Sequence, residues 1–245
     1  MNKNILRQSL RLSATLLLLG QVLYIVITLF HTGGEANNHP AIFAAYAASG
    51  SWVADHIGQF AAMALLIAGL LALFFGLDVE DDTARWTGRF GAAAAIAALA
   101  LYGALQAVDG VANQLADAAW VNAPEAEKAA RFASAEAVRW IEWGMRSYQA
   151  FTLGLALLLF AVAVFRTAWI PRPIAVLIGL AGLTFLWQGW LVGTEGFSAM
   201  MSNAIVVAEF LDVVWMIWLA VVAWRMPHAE PRVEPRRLAD EGNAL

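Results

Sequence analysis

Six apolar runs of about 20 residues each divide this chain, at 10–30, 57–77, 90–108, 145–165, 174–192 and 204–224. A bilayer's hydrocarbon core is about 30 Å thick and a helix rises about 1.5 Å per residue, so each run is long enough to cross it. Backbone polar groups find no water there, and a helix satisfies them internally. A β-barrel is excluded because the runs are continuous and do not alternate. With 61% hydrophobic and 14% charged residues, the chain is too apolar for an ordinary soluble domain. The expected fold is all-α: a six-helix transmembrane bundle over 1–226. A polar tail over 227–245, with Pro227, Pro231 and Pro235, has the composition of a disordered segment.

Basic residues set the orientation. With both termini inside, the cytoplasmic side collects Lys3, Arg7, Arg11, Arg85, Arg89, Arg166, Arg172, Arg225, Arg232, Arg236 and Arg237. Lys128, Arg131, Arg139 and Arg146 fall outside, so eleven bases face four. The first run follows three bases like a signal peptide, yet it is longer than an h-region of about 7–15 residues and no A-x-A site follows it. It reads as a retained helix. The absence of cysteine excludes disulfides, thiolate metal sites and thiol catalysis. No dense basic patch or recognition motif supports nucleic-acid binding.

Between the first two runs, Gly33, Gly34, Asn37, Asn38 and Pro40 break the chain, and 41–48 predicts a short interfacial helix carrying Phe43 and Tyr46. The acidic segment from Asp78 through Glu80, Asp81 and Asp82 reads as a solvated connection. Helical character continues past the third run to Trp120, and Asn122-Ala-Pro124-Glu125 reads as an N-cap with proline in the first turn of the next helix. That helix continues unbroken into the fourth run, through Gly144. The third and fourth helices therefore extend into an extracytoplasmic helical hairpin, with Trp120, Trp140 and Trp143 at the outer interface.

The polar interruptions crowd one end of the bundle: His31, Asp55, His56, Gln59, Gln106, Asp109, Glu142, Arg146, Gln188, Glu209 and Asp212. Ionisable groups inside a membrane are costly and mark functional sites. Helix positions three and four apart are neighbours, so Gln106, Asp109, Asn113 and Asp117 form one stripe, and Glu136, Arg139, Glu142, Arg146 and Gln149 another. The second stripe reads equally as self-satisfied pairs, Glu136 with Arg139 and Glu142 with Arg146. Gly110 beside Asp109 permits close backbone approach. Glu209 and Asp212 share one face, and each costs about 2.5–3.5 kcal/mol in mid-span. Pairing with Arg139 or Arg146, a shared proton or a bound cation would offset that cost. An echo between Val53-Ala-Asp55 and Val207-Ala-Glu209 hints at a parallel repeat of helix pairs.

His56 beside Asp55 is the strongest ligand candidate among the histidines. Imidazole with carboxylates suits a divalent metal, with Asp55, Asp109, Glu142, Glu209 and Asp212 as oxygen donors. His31 and His56 could alternatively be axial ligands to a haem. No Glu-x-x-His pair and no His-Glu-x-x-His motif is present. Gly189 and Gly193, in a G-x-x-x-G spacing, predict close helix packing within the chain or a face for a homo-oligomer.

Two segments, Leu105-Gln-Ala-Val-Asp-Gly-Val111 and Arg139-Trp-Ile-Glu-Trp-Gly-Met-Arg-Ser147, resemble those of a family of bacterial polytopic inner-membrane proteins with QAVDGVA-like and RWxEWGxRS-like motifs. The resemblance implies a bacterial inner-membrane location and carries no activity. It covers the middle third of the chain, including Gln106, Asp109, Arg139, Glu142 and Arg146.

The function these residues suggest is an extracytoplasmic-facing carboxylate/histidine site that binds a cation or small polar ligand. As a membrane-embedded metalloenzyme, it would hold metal at His56, Asp109, Glu142, Glu209 and Asp212. Arg139, Arg146 and Glu142 would then act on substrate. The alternatives are a proton-coupled transporter working through Glu209 and Asp212, and a structural or accessory membrane subunit.

Overall fold

The structure is a computed structural model and describes residues 3–35, 37–77 and 81–226. The tail over 227–245 and the acidic residues Asp78 and Glu80 lie outside the described residues. The elements are α1 Lys3–Phe30, α2 His39–Ala48, α3 Trp52–Gly76, α4 Asp82–Ala107, a π-helical turn Val108–Asn113, α5 Gln114–Val121, α6 Glu125–Phe165, α7 Arg172–Glu195 and α8 Ala199–Arg225. No strand occurs among the described residues.

Six helices are long and apolar enough to cross a membrane, which makes this a multi-pass membrane protein built as a helical bundle. Two of them are much longer than a crossing requires: Asp82–Val121 has 40 residues and Glu125–Phe165 has 41. At about 1.5 Å per residue each spans roughly 60 Å, about twice a hydrocarbon core. The short helix expected at 41–48 forms as α2, which starts slightly earlier. Asn38 caps it by accepting from the Ala41 amide (3.4 Å), and Pro40 occupies its first turn.

At the long helices' junction, Asn122 closes a helix and does not open one. Its Nδ2 donates to the Ala118 carbonyl (2.8 Å), while α6 starts at Glu125 behind Pro124 with no side-chain cap. Spacing alone could not separate these roles, since asparagine serves either helix end.

The long helices close into a ring, with α1 on α3, α3 on α4, α4 on α6, α6 on α7, α7 on α8 and α8 back on α1. Leu17, Ile67, Tyr102, Phe160, Ile178 and Trp215 are fully buried within it. Outward faces carry large apolar side chains such as Phe75 and Phe210, which suit lipid contact. Arg11 draws α1 to the last turn of α8, its Nε donating to the Ala223 carbonyl (3.1 Å) and its Nη2 to that of Trp224 (3.1 Å).

Lipid leaves little hydrophobic drive between helices, so close packing of small residues holds them together. At the α6–α7 crossing, a Cβ on Gly154 would lie 2.7 Å from the Gly182 carbonyl oxygen, and one on Gly182 would lie 2.9 Å from that of Gly154. Neither backbone can yield without the helices separating. Gly154→Val is expected to destabilise the bundle by about 1–3 kcal/mol in thermal unfolding in detergent; an unchanged Tm would show slack at the crossing.

The Gly189/Gly193 face is used inside the chain. A Cβ on Gly189 would lie 2.9 Å from the Ser147 carbonyl oxygen, and one on Gly193 would lie 2.8 Å from Ser147 Oγ. Ser147 Oγ donates to the Gly189 carbonyl at 2.7 Å. These glycines therefore seat α7 on α6 of the same chain, with Gly189 buried in the contact and Gly193 exposed at its edge.

Candidate functional site

The site is built where α3 begins, where α1 ends and where α4 loosens into its π turn. A π turn carries i→i+5 hydrogen bonds, is rare, and occurs frequently at functional sites. This one holds Asp109, Gly110 and Asn113. The Asp109 carbonyl accepts the indole N–H of Trp52 (2.8 Å), tying the turn to the first residue of α3. One helical turn further along α3, His56 packs against Gly110. A Cβ there would sit 2.6 Å from His56 Cβ, so glycine is what allows this approach.

His56 is oriented from both sides of its ring. Its Nδ1 lies 2.6 Å from the Trp52 carbonyl oxygen, and since a carbonyl only accepts, Nδ1 carries the hydrogen. Nε2 lies 3.1 Å from Asp109 Oδ2, within ion-pair distance, yet no well-directed hydrogen bond satisfies this buried atom. His31, just past α1, packs its ring 5.1 Å from that of His56 and 4.8 Å from that of Trp52. One donor atom each from His31, His56 and Asp109 lie within 4.8 Å of one another. Burial lowers the His31 pKa, which keeps its imidazole neutral and its lone pair available at pH 7. Burial likewise raises the Tyr46 phenol, which stays protonated.

A carboxylate–guanidinium pair stands beside this group. Glu142 Oε2 accepts from Arg139 Nη1 (2.5 Å) and from Asn113 Nδ2 (2.5 Å), and Asn113 also donates to Asp109 Oδ1 (3.2 Å). Asn113 thereby links the two carboxylates. The Arg139 guanidinium lies 4.5 Å from the Phe197 ring centroid and 5.4 Å from that of Tyr46. Arg146, two turns beyond Arg139 along α6, donates to Gln149 Oε1 (3.3 Å) and Gln188 Oε1 (3.2 Å). These pairings differ from those the spacing suggested. Glu136 meets His39 Nδ1 (3.0 Å) and not Arg139, and Glu142 takes Arg139 and not Arg146.

A chamber of about 220 Å³ opens among these groups, lined by His31, Gln59, Gln106, Asp109, Arg139, Glu142 and Arg146 together with Tyr24 and Tyr46. Below it lies a narrower pocket of about 40 Å³ containing Gln21, Glu209 and Asp212, and Tyr24 and Arg146 belong to both walls. Glu209 accepts from Gln21 Nε2, and Asp212 accepts from the Trp215 indole (2.7 Å). Neither acid pairs with Arg139.

The expected residues thus fall into three places. His31, His56, Asp109, Arg139 and Glu142 come together; Glu209 and Asp212 form a deeper group reached past Arg146. Asp55 stays apart, hydrogen-bonded to Ser51 Oγ (2.8 Å) in the first turn of α3. Its echo of Glu209 is therefore not matched in surroundings. The two imidazoles are direct neighbours, which leaves no slot for a porphyrin between them. Spacing gave no warning of Trp52 or Tyr46, because aromatics near a membrane interface are common. Asn113 was visible only as a member of a stripe.

Comparison of the chain with protein-family models, curated proteins and solved structures finds no match. What the fold and site define is a class: a multi-pass helical membrane protein with a partly buried cluster of two histidines and a carboxylate at one end of its ring.

Proposed function

We propose that this protein is a bacterial inner-membrane protein that binds a divalent metal ion at His31, His56 and Asp109 on its extracytoplasmic side. Both termini are cytoplasmic in this reading, as the distribution of basic residues requires. The hairpin of α5 and the first half of α6 then projects outside. One observation carries the metal reading: His56 gives its Nδ1 hydrogen to a backbone carbonyl and holds Nε2 toward a second imidazole and a carboxylate. Metal-ligating histidines are oriented in this way by an outer hydrogen bond. Two histidines and one carboxylate suit zinc, iron(II) or manganese and leave positions for water or substrate.

A cation held there supplies Lewis acidity and a more acidic bound water. The surrounding residues favour use of that chemistry over simple storage. Arg146 has no ion pair among the described residues and faces the chamber from its glutamine supports, so it is the group to orient an anionic or carbonyl substrate. Glu142 is anchored by Arg139 and Asn113 at the chamber wall, within reach of a proton to be moved.

Elemental analysis of the purified protein tests this. Wild type should carry about one equivalent of divalent metal, and His56→Ala and His31→Gln should lose it while remaining folded by circular dichroism. A metal-free wild type after reconstitution with zinc, iron(II) and manganese would end the reading.

A second reading, proton-coupled transport, has one observation in its favour: Glu209 and Asp212 sit in a pocket that shares Tyr24 and Arg146 with the chamber. Loss of proton-coupled uptake in Glu209→Gln vesicles would support it.

A further inference from the structure

A second hollow reaches the same histidine from the side. It is a groove of about 240 Å³ between α3 and the end of α4, with His56, Ile57 and Phe60 on one wall and Gly103, Gln106 and Ala107 on the other. Its rim is apolar and outward-facing, with Ile57 65% exposed and Val111 48%. The groove opens at the ends of the apolar runs 57–77 and 90–108, so in this reading Ile57, Phe60 and Gly103 face lipid while Val53 and Val111 lie at the membrane's outer boundary. Glycine shapes the hollow: Gly103 leaves space against Phe60, and Gly110 brings His56 to its floor.

Its inner wall is different in kind. Gln106 lines both the groove and the metal chamber and so forms a shared part of their walls. Gln106 Nε2 points to Gln59 Oε1 (3.4 Å), whereas Gln106 Oε1 is buried without a hydrogen-bond partner. A buried acceptor left unpaired costs about 1–3 kcal/mol, which an incoming donor would relieve. Across the chamber, α2 contributes Tyr46 to the wall and is tied down by the His39–Glu136 contact (3.0 Å) and, just before it, by Asn37 Nδ2 donating to the Glu195 carbonyl (2.8 Å).

We propose that the substrate is a membrane-dissolved, long-chain amphiphile with a hydroxyl-bearing head, entering sideways through the α3–α4 groove with its chain left among Val53, Ile57, Phe60 and Val111. The head passes Gln106, whose free oxygen accepts its hydroxyl, and arrives at His56. Hydrocarbon is the natural occupant of an apolar groove that faces lipid. The unpaired acceptor beside a histidine at its floor selects a polar head with a hydrogen to donate. This substrate class rests on the metal reading of His31, His56 and Asp109.

The test uses full-length protein in phosphatidylethanolamine/phosphatidylglycerol vesicles doped with a monoacylglycerol that carries a diazirine in its chain. After irradiation, label should concentrate at Ile57, Phe60 and Val111 relative to the lipid-facing Val176, Leu180 and Leu183 of α7. Ala107→Trp fills the groove from an exposed position, and Gly103→Phe fills it independently. Either should remove the excess label while bound metal stays at the wild-type level. Equal labelling of both faces, or an excess that survives both variants, overturns the portal. A metal-free wild type overturns the site on which the substrate class rests, and elemental analysis shows this separately from the labelling.

Discussion

Arg139→Met should destabilise the protein by about 3–5 kcal/mol, the cost of stranding one member of a buried ion pair. Arg139 and Glu142 are only 3% and 2% exposed, so the pair is largely withdrawn from bulk solvent. Without the guanidinium, Glu142 keeps only the Asn113 amide and faces Asp109 through that same side chain. Two carboxylates bridged by one amide in a low-dielectric site repel strongly. The double variant Arg139→Met/Glu142→Gln should recover most of the loss, because it removes the stranded charge. Unfolding in detergent for the wild type, both single variants and the double variant measures this as a cycle. Near-wild-type stability for Arg139→Met would mean that Glu142 is not ionised against that arginine.

Gly110→Val should be almost as damaging and, under the proposed function, should also abolish metal binding. The new Cβ would fall 2.6 Å from His56 Cβ and 2.9 Å from its Cγ. His56 Cβ is fixed to the α3 backbone, so no rotamer change relieves the contact and α3 must move off the π turn. Overpacking of this kind costs about 1–3 kcal/mol. The displacement also separates Nε2 from Asp109, so bound metal should be lost. Gly144→Val is the matched control, since a Cβ there meets nothing within 4 Å. If Gly110→Val retained its metal, His56 would not depend on this contact for its position.

Much of the site could be found in the sequence, because a polar group within an apolar run is conspicuous by its cost. Asp109, Glu142, Arg146, Glu209 and Asp212 were identified in that way, and all of them face the interior cavities. Pairings were less legible. Spacing reports which positions share a face of one helix, whereas Asn113 to Glu142 and Arg146 to Gln188 run between helices. Asp55 shows the same limit: it stands beside His56 in sequence, but adjacent helix positions point about 100° apart and only one of them faces the cluster. The π turn was hidden because its residues, Val108 to Asn113, fit an ordinary helical stripe equally well. The G-x-x-x-G spacing at Gly189 and Gly193 declared a close contact without saying whose, and Ser147 of the same chain supplies it.

The sequence by itself determined the number of membrane-crossing helices, the continuation of two of them well past a bilayer's thickness, and the end of the bundle where polar groups gather. These follow from length, hydropathy and the cost of burying charge, which are properties of each segment alone. Only the tertiary structure decided that His31, His56 and Asp109 meet, that Glu209 and Asp212 form a separate group, and that His56 also lines the groove between α3 and α4. Those outcomes depend on how the helices rotate and approach one another, and that is set by glycine contacts and a single π turn.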